Sequence, residues 1–214
     1  MTARSDSALG RQSRFRGWRL FVPAALLAFV LLLIIRHFFL EVYMIPSESM
    51  EPYLEPGDRI IVNRLAGEVH RGDVVVFDGE GSFSPYVSAS PWLTDPVGTG
   101  AQWLGIEGSD TIYVKRVIGV AGDRVECCSD GHLKVNGQVL EEPYLYPGNT
   151  ASETEFSVEV PAGRMWVMGD HRSVSRDSRA LLGAPGGGMI RTEKVIGKPI
   201  FIALPADRAG RLGH

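Results

Sequence analysis

The sequence predicts a mostly β domain of antiparallel sheets behind one N-terminal transmembrane helix. Three observations carry that expectation. Residues 20–35, LFVPAALLAFVLLLII, hold no charge. From residue 41 onward, short β-branched runs recur between turn residues. Asn136-Gly137 separates Leu133-Lys134-Val135 from Gln138-Val139-Leu140, a spacing that asks for a two-residue hairpin.

A bilayer needs roughly 20 apolar residues to cross it. Trp18 and Phe38-Phe39-Leu40 extend the uncharged run into the interface, with Arg19 and Arg36 directed outward. Pro23 falls in the first turn, where a missing N–H costs little. The run has no polar face, unlike a core helix. The segment after it, RHFFLEVYMIP, offers no small-residue cleavage site, unlike a secretory leader. An uncleaved anchor over residues 20–40 is expected. Residues 1–19 carry Arg4, Arg11, Arg14, Arg16 and Arg19 against Asp6 alone. This basic tail should stay in the cytoplasm, which places residues 41–214 outside. The net charge of −3 over 214 residues gives no nucleic-acid signature, so the bilayer is the partner the composition implies.

The strands follow in order: Arg59 to Asn63, Asp73 to Phe77, Thr111 to Val120, Leu133 to Val135, Glu155 to Val160, Met165 to Met168 and Lys194 to Ile202. Gly57-Asp58, Gly72-Asp73 and Gly122-Asp123 mark tight turns before several of them. Arg71-Gly72-Asp73 is therefore read as a turn, not an adhesion motif. Residues 79–110 break the rhythm with Gly, Ser and Pro and are expected to form one long loop. The body of the domain runs over 41–204, and 205–214 (PADRAGRLGH) reads as a disordered tail.

The chemistry concentrates in three places. Ser47 and Ser49 follow Pro46 where the chain would leave the bilayer. In an extended segment their side chains share a face, so one hydroxyl could attack a carbonyl while the other stabilises the oxyanion. A serine needs a base. Lys115 lies within TIYVKRVIGV, an otherwise apolar strand. A lysine base must be neutral, so burial would have to lower its pKa from near 10.4 by about two units or more. Arg116 points to the other face and suits a charge pair. The third place is Met168 to Arg179, where Asp170, Arg172, Asp177 and Arg179 alternate in sign and Ser175 and Ser178 supply hydroxyls. Such a cluster can orient a site. The plainer readings are a turn-capping serine, an edge lysine and a solvated charged loop.

Residues 44–58 (MIPSESMEPYLEPGD), 71–77 (RGDVVVF), 113–123 (YVKRVIGVAGD) and 168–179 (MGDHRSVSRDSR) resemble, in order, the blocks of bacterial type I signal peptidases. The resemblance covers most of residues 20–200. It implies a signal-peptidase-like β fold and a serine endopeptidase of the cytoplasmic membrane, single-pass with its N-terminus cytoplasmic. Its substrates would be exported preproteins, cut after small residues in an Ala-x-Ala pattern. It implies Ser49 as nucleophile, Lys115 as general base, and Ser47 with the Ser49 backbone N–H as oxyanion hole. Ser175 would hydrogen-bond Lys115, while Asp177 with Arg179, and Asp170 with Arg172 and Arg116, would brace the site. Tyr43, Ile45, Met50, Leu54, Tyr113 and Val114 match positions lining the substrate pocket, whose shallow apolar walls would admit Ala. The chain departs from the family at Glu48 (often Gly), Tyr53 (often Thr), Val174 (often Asn) and Arg176 (often Ala).

The resemblance implies no cofactor. No metal site is predicted, because His37, His70, His132, His171 and His214 are scattered. Cys127-Cys128 is the only cysteine pair. An oxidised pair suits an extracytoplasmic domain, but adjacent cysteines make a strained bridge, so the pair reads as a turn feature. Two other classes stay open: a self-cleaving Ser/Lys protease relative, which should carry a DNA-binding domain, and an inactive membrane-tethered β binding module.

Overall fold

The computed structural model describes residues 21–31, 39–65, 67–84, 95–103, 111–128, 131–184 and 186–213. They fall into two units, residues 1–40 and 41–214. In the first, residues 21–31 form a helix, α1, whose Phe21, Leu26, Leu27 and Phe29 are exposed. Among the described residues no helix is long and apolar enough to cross a membrane. The rest of the expected anchor, bar Phe39 and Leu40, lies outside the described residues, as does the whole basic tail.

The second unit is antiparallel β, as the alternating runs predict. Its strands are β1 (Leu40–Met44), β2 (Arg59–Asn63), β3 (Val74–Asp78), β4 (Ile112–Val120), β5 (Arg124–Cys127), β6 (Lys134–Val135), β7 (Gln138–Val139), β8 (Phe156–Glu159), β9 (Arg164–Met168), β10 (Ile190–Arg191), β11 (Val195–Leu204) and β12 (Gly210–Arg211). The larger sheet runs β1-β2-β11-β3-β4-β9-β10, with β12 also on β11, and the smaller runs β7-β6-β5-β8. The β6–β7 turn is the predicted hairpin. Asn136 at φ 55° and Gly137 at φ 79° supply the two left-handed residues such a turn requires.

Three strands position everything else. In β3, Val74 and Val76 join the core around Met50 and Leu54, while Val75 and Phe77 join the core around Met165 and Val167. Alternation thus buries both faces, which is why this strand reads as an unbroken apolar run. β4 lies between β3 and β9, setting Lys115 opposite Val75 and Arg116 opposite Met168. β11 pairs with β3 at Val195 and Gly197, then with β2 from Lys198 on. A side chain at Gly197 would collide with Asn63 O at that crossing. Trp166, Phe156, Leu133 and Val125 form the third core, uniting strands of both sheets.

Two expectations are corrected. Residues 79–110 are not loop throughout, because Pro96–Trp103 form a helix, α2. Residues 85–94 and 104–110 lie outside the described residues. Residues 205–213 are not a free tail. Arg208 donates Nε and Nη2 to Asp58 at 2.9 Å each and pairs with Glu55. β12 pairs with β11, and Tyr53 donates its hydroxyl to Gly213 O at 2.9 Å. Cys127 and Cys128 are joined as a disulfide at the end of β5.

Asp58 is 1 % exposed and is paired with Arg208. Arg208→Ala should destabilise the protein by about 3 kcal/mol in denaturant unfolding, because it strands a buried carboxylate. Adding Asp58→Asn to that variant should recover part of the loss.

Candidate active site

Ser47 has extended backbone (φ −134°, ψ 156°), and Glu48–Met50 then turn as a short 3-10 segment. The turn is seated by Met50 and Leu54, both buried in the core with Ile45. Ser47 and Ser49 therefore do not share a face by strand alternation, as the sequence suggested. They meet all the same, with their hydroxyl oxygens 3.2 Å apart. Ser49 is buried and Ser47 exposed.

Lys115, in β4, brings Nζ to 2.5 Å from Ser49 Oγ, across 66 residues of sequence. It is 4 % exposed. Burial lowers its pKa from the ordinary value to about 8, against the opposing charges of Asp177 and Asp170. Those carboxylates are themselves engaged. Arg116 holds Asp170 through Nε at 2.8 Å and Nη2 at 2.6 Å. Burial first raises the Asp170 pKa, and Arg116 pulls it back. The Arg116 guanidinium also lies over the rings of Tyr144 (4.1 Å) and Tyr53 (5.2 Å), and Nη1 donates to Gly72 O. Arg179 holds Asp177 through Nε at 2.9 Å and Nη2 at 2.8 Å. Asp177 caps the 3-10 turn at Ser178–Leu181 and accepts from Gly169 N at 3.0 Å.

The turn from 169 to 179 closes over the serine. His171 N donates to Ser49 O at 3.2 Å, and a side chain at Gly169 would collide with Ser49 O and Ser175 Oγ. Arg172 does not pair with Asp170 as expected. It donates to Gly169 O, Ala151 O and, at 2.5 Å, Glu142 Oε1. The expected Ser175–Lys115 hydrogen bond is not made either. Ser175 Oγ is buried without a partner among the described residues.

A cavity of about 200 Å³ opens beside the pair, lined by Tyr43, Met44, Ile45, Pro46, Ser47, Ser49, Met50, Ile112, Tyr113, Val114 and Lys115. Of the six expected pocket residues, only Leu54 is misplaced. It is fully buried in the core with Met50 and does not line the cavity. Tyr113 is fixed by stacking on Phe77 and by a 2.7 Å hydrogen bond with Ser84. Met44, Pro46, Ile112, Glu142 and Tyr144 were missed. Alternation from Val114 could have found Ile112, whereas Glu142 and Tyr144 sit in an irregular segment with no pattern to read.

Comparisons with known proteins agree with the block pattern. A family model described as "Signal peptidase, peptidase S26" matches residues 18–204. The chain is 38% identical over 222 residues to "Signal peptidase I" of Mycobacterium tuberculosis, covering 90% of this chain and 74% of the relative. It is 34% identical over 195 residues to "Signal peptidase I" of Bacillus licheniformis, covering 86% of this chain and 87% of the relative.

Two outcomes follow for stability. With a folded pKa about 8 against about 10.4 unfolded, the unfolded chain binds more protons between those values. Stability attributable to Lys115 therefore rises with pH across that window, and below it the cost of a buried charge is fully present. Lys115→Met should be more stable than the parent at pH 7, by on the order of 3 kcal/mol. The gap should close as the pH approaches 10, in unfolding measured across pH. Gly169→Ala should cost about 1–3 kcal/mol in the same measurement, since the added methyl has no room.

Proposed function

The chain belongs to the signal peptidase family, peptidase S26, and from that membership we propose a Ser49–Lys115 acyl-transfer mechanism for its cleavage of signal peptides. It is a serine peptidase of the signal peptidase I kind. The observation that carries the mechanism is the 2.5 Å approach of Lys115 Nζ to Ser49 Oγ in a buried setting.

Neutral Lys115 takes the Ser49 proton as Oγ attacks the carbonyl carbon of the small residue that precedes the cut. Negative charge develops on the carbonyl oxygen. The Ser47 hydroxyl and the Ser49 backbone N–H are the donors proposed to receive it; Ser47 already lies 3.2 Å from Ser49 Oγ. The intermediate collapses, Lys115 passes its proton to the departing amine, and an ester on Ser49 remains. Water, deprotonated by Lys115, then releases the acyl group.

The cavity supports the choice of substrate. Its walls at Tyr43, Ile45, Met50, Tyr113 and Val114 leave about 200 Å³, room for alanine-sized side chains in an Ala-x-Ala pattern. A membrane setting is part of the same reading. Exported preproteins are the substrates, α1 exposes Phe21, Leu26 and Leu27 as a lipid-facing segment would, and the domain after residue 40 lies on the extracytoplasmic side of a single span. Asp177 with Arg179, and Asp170 with Arg116, are assigned as positioning groups. Arg172 braces the 169–179 turn through Glu142.

The test is cleavage of a preprotein bearing an Ala-x-Ala site, in detergent. The parent should cut after the second alanine, and Ser49→Ala and Lys115→Ala should fall to background. Ser47→Ala should lose about 10²–10³ in rate. Because Lys115 must be neutral, log rate should fall with unit slope below a pH of about 8. Near-normal activity of Lys115→Ala, or a rate flat down to pH 5, would place the base elsewhere.

A further inference from the structure

His171 belongs to neither the Ser49–Lys115 pair nor the arginine–carboxylate pairs, yet it is 8 % exposed. Its Nδ1 is buried with no hydrogen-bond partner among the described residues. The ring is held in place by stacking on Tyr146, with centroids 3.8 Å apart and planes 8° apart. Leaving a buried polar atom unpaired costs about 1–3 kcal/mol, so a fixed and unsatisfied imidazole nitrogen points to a missing partner.

The nearest carboxylate oxygen is Glu51 Oε2, at 3.5 Å from Nδ1. That is too long for a good hydrogen bond. It does match two ligands of one ion, since tetrahedral bonds of about 2.0–2.1 Å place neighbouring ligand atoms about 3.4 Å apart. Glu48 adds a second carboxylate, and one ligand atom from each of Glu48, Glu51 and His171 lies within 4.8 Å of the others. Glu48 opens the 3-10 turn and Glu51 caps its end, with Glu51 N donating to Glu48 O. Neither carboxylate has an arginine or lysine within ion-pair distance among the described residues.

We propose that Glu48, Glu51 and His171 form a binding site for one Zn²⁺ ion, with water completing the tetrahedron. An imidazole with two carboxylates suits Zn²⁺, whereas Mg²⁺ and Ca²⁺ favour all-oxygen shells with more ligands. No metal site is expected from the sequence because the five histidines are scattered; the fold brings His171 to the two glutamates instead. The ion would join the turn carrying Ser49 to the 169–179 turn, parallel to the hydrogen bond from His171 N to Ser49 O.

The test uses the untagged full chain in detergent, stripped with chelator and titrated with Zn²⁺ by calorimetry alongside thermal unfolding. One ion should bind per chain, and the midpoint of unfolding should rise with Zn²⁺ concentration. Glu48→Gln and His171→Gln should each weaken binding by roughly tenfold or more and abolish the thermal shift, and Mg²⁺ should not substitute. Glu48 is exposed, so its variant folds even if loss of the His171 ring disturbs the turn. No stoichiometric Zn²⁺ binding, or binding undiminished in Glu48→Gln, overturns the proposal.

Discussion

A buried lysine set directly against a serine, Lys115 against Ser49, is the constraint around which this domain is built. Desolvation is the largest force depressing the Lys115 pKa, the Arg179 charge adds to it, and nearby carboxylates oppose it. Asp170 and Asp177 are near enough to raise the Lys115 pKa. Both are 0 % exposed, so water does not screen them. What limits their pull is that each is already held by a two-pronged arginine, Arg116 on Asp170 and Arg179 on Asp177. The charged cluster is better understood as carboxylates occupied by guanidinium groups than as a scaffold attached to the lysine.

That arrangement follows from strand geometry. Neighbouring residues on β4 point to opposite faces, so Lys115 and Arg116 separate into different surroundings although adjacent in sequence. One side chain enters the cavity beside Ser49, and the other enters a carboxylate and two tyrosine rings. A register slip of one residue would exchange them and leave a permanent cation against the serine. The pairing of Lys115 with Val75 and of Arg116 with Val74 on β3 excludes that slip, because β3 is buried on both faces and cannot shift without exposing valines.

Much of this was legible in the sequence, for local reasons. Strands β2, β3, β4 and β11 are runs rich in β-branched residues, β9 is an apolar run, and Asn136-Gly137 announces its own hairpin. Lys115 stood out because it contradicts the apolar pattern around it. β10 and β12, at two residues each, are too short to carry a period. The C-terminal segment looked disordered because the ion pair that orders it, Arg208 with Asp58, spans 150 residues and leaves no local trace. The same holds at the site. Glu142 as the partner of Arg172, Leu54 as core and not pocket, and the unpaired Ser175 hydroxyl are all consequences of tertiary packing.

The 2.5 Å separation of Ser49 Oγ and Lys115 Nζ also makes the cavity unusual as a target for covalent ligands. A reagent reaching it meets an alcohol and an amine that is half free base near pH 8, not an alcohol beside an imidazole. Compounds designed around a protonated histidine lose their main electrostatic contact here. A compact molecule with adjacent boron and carbonyl centres could instead bond to both atoms at once, and a cavity of about 200 Å³ would exclude bulkier versions. Selectivity over histidine-based serine hydrolases would then come from the amine, and the dimensions of the cavity would set the permitted size.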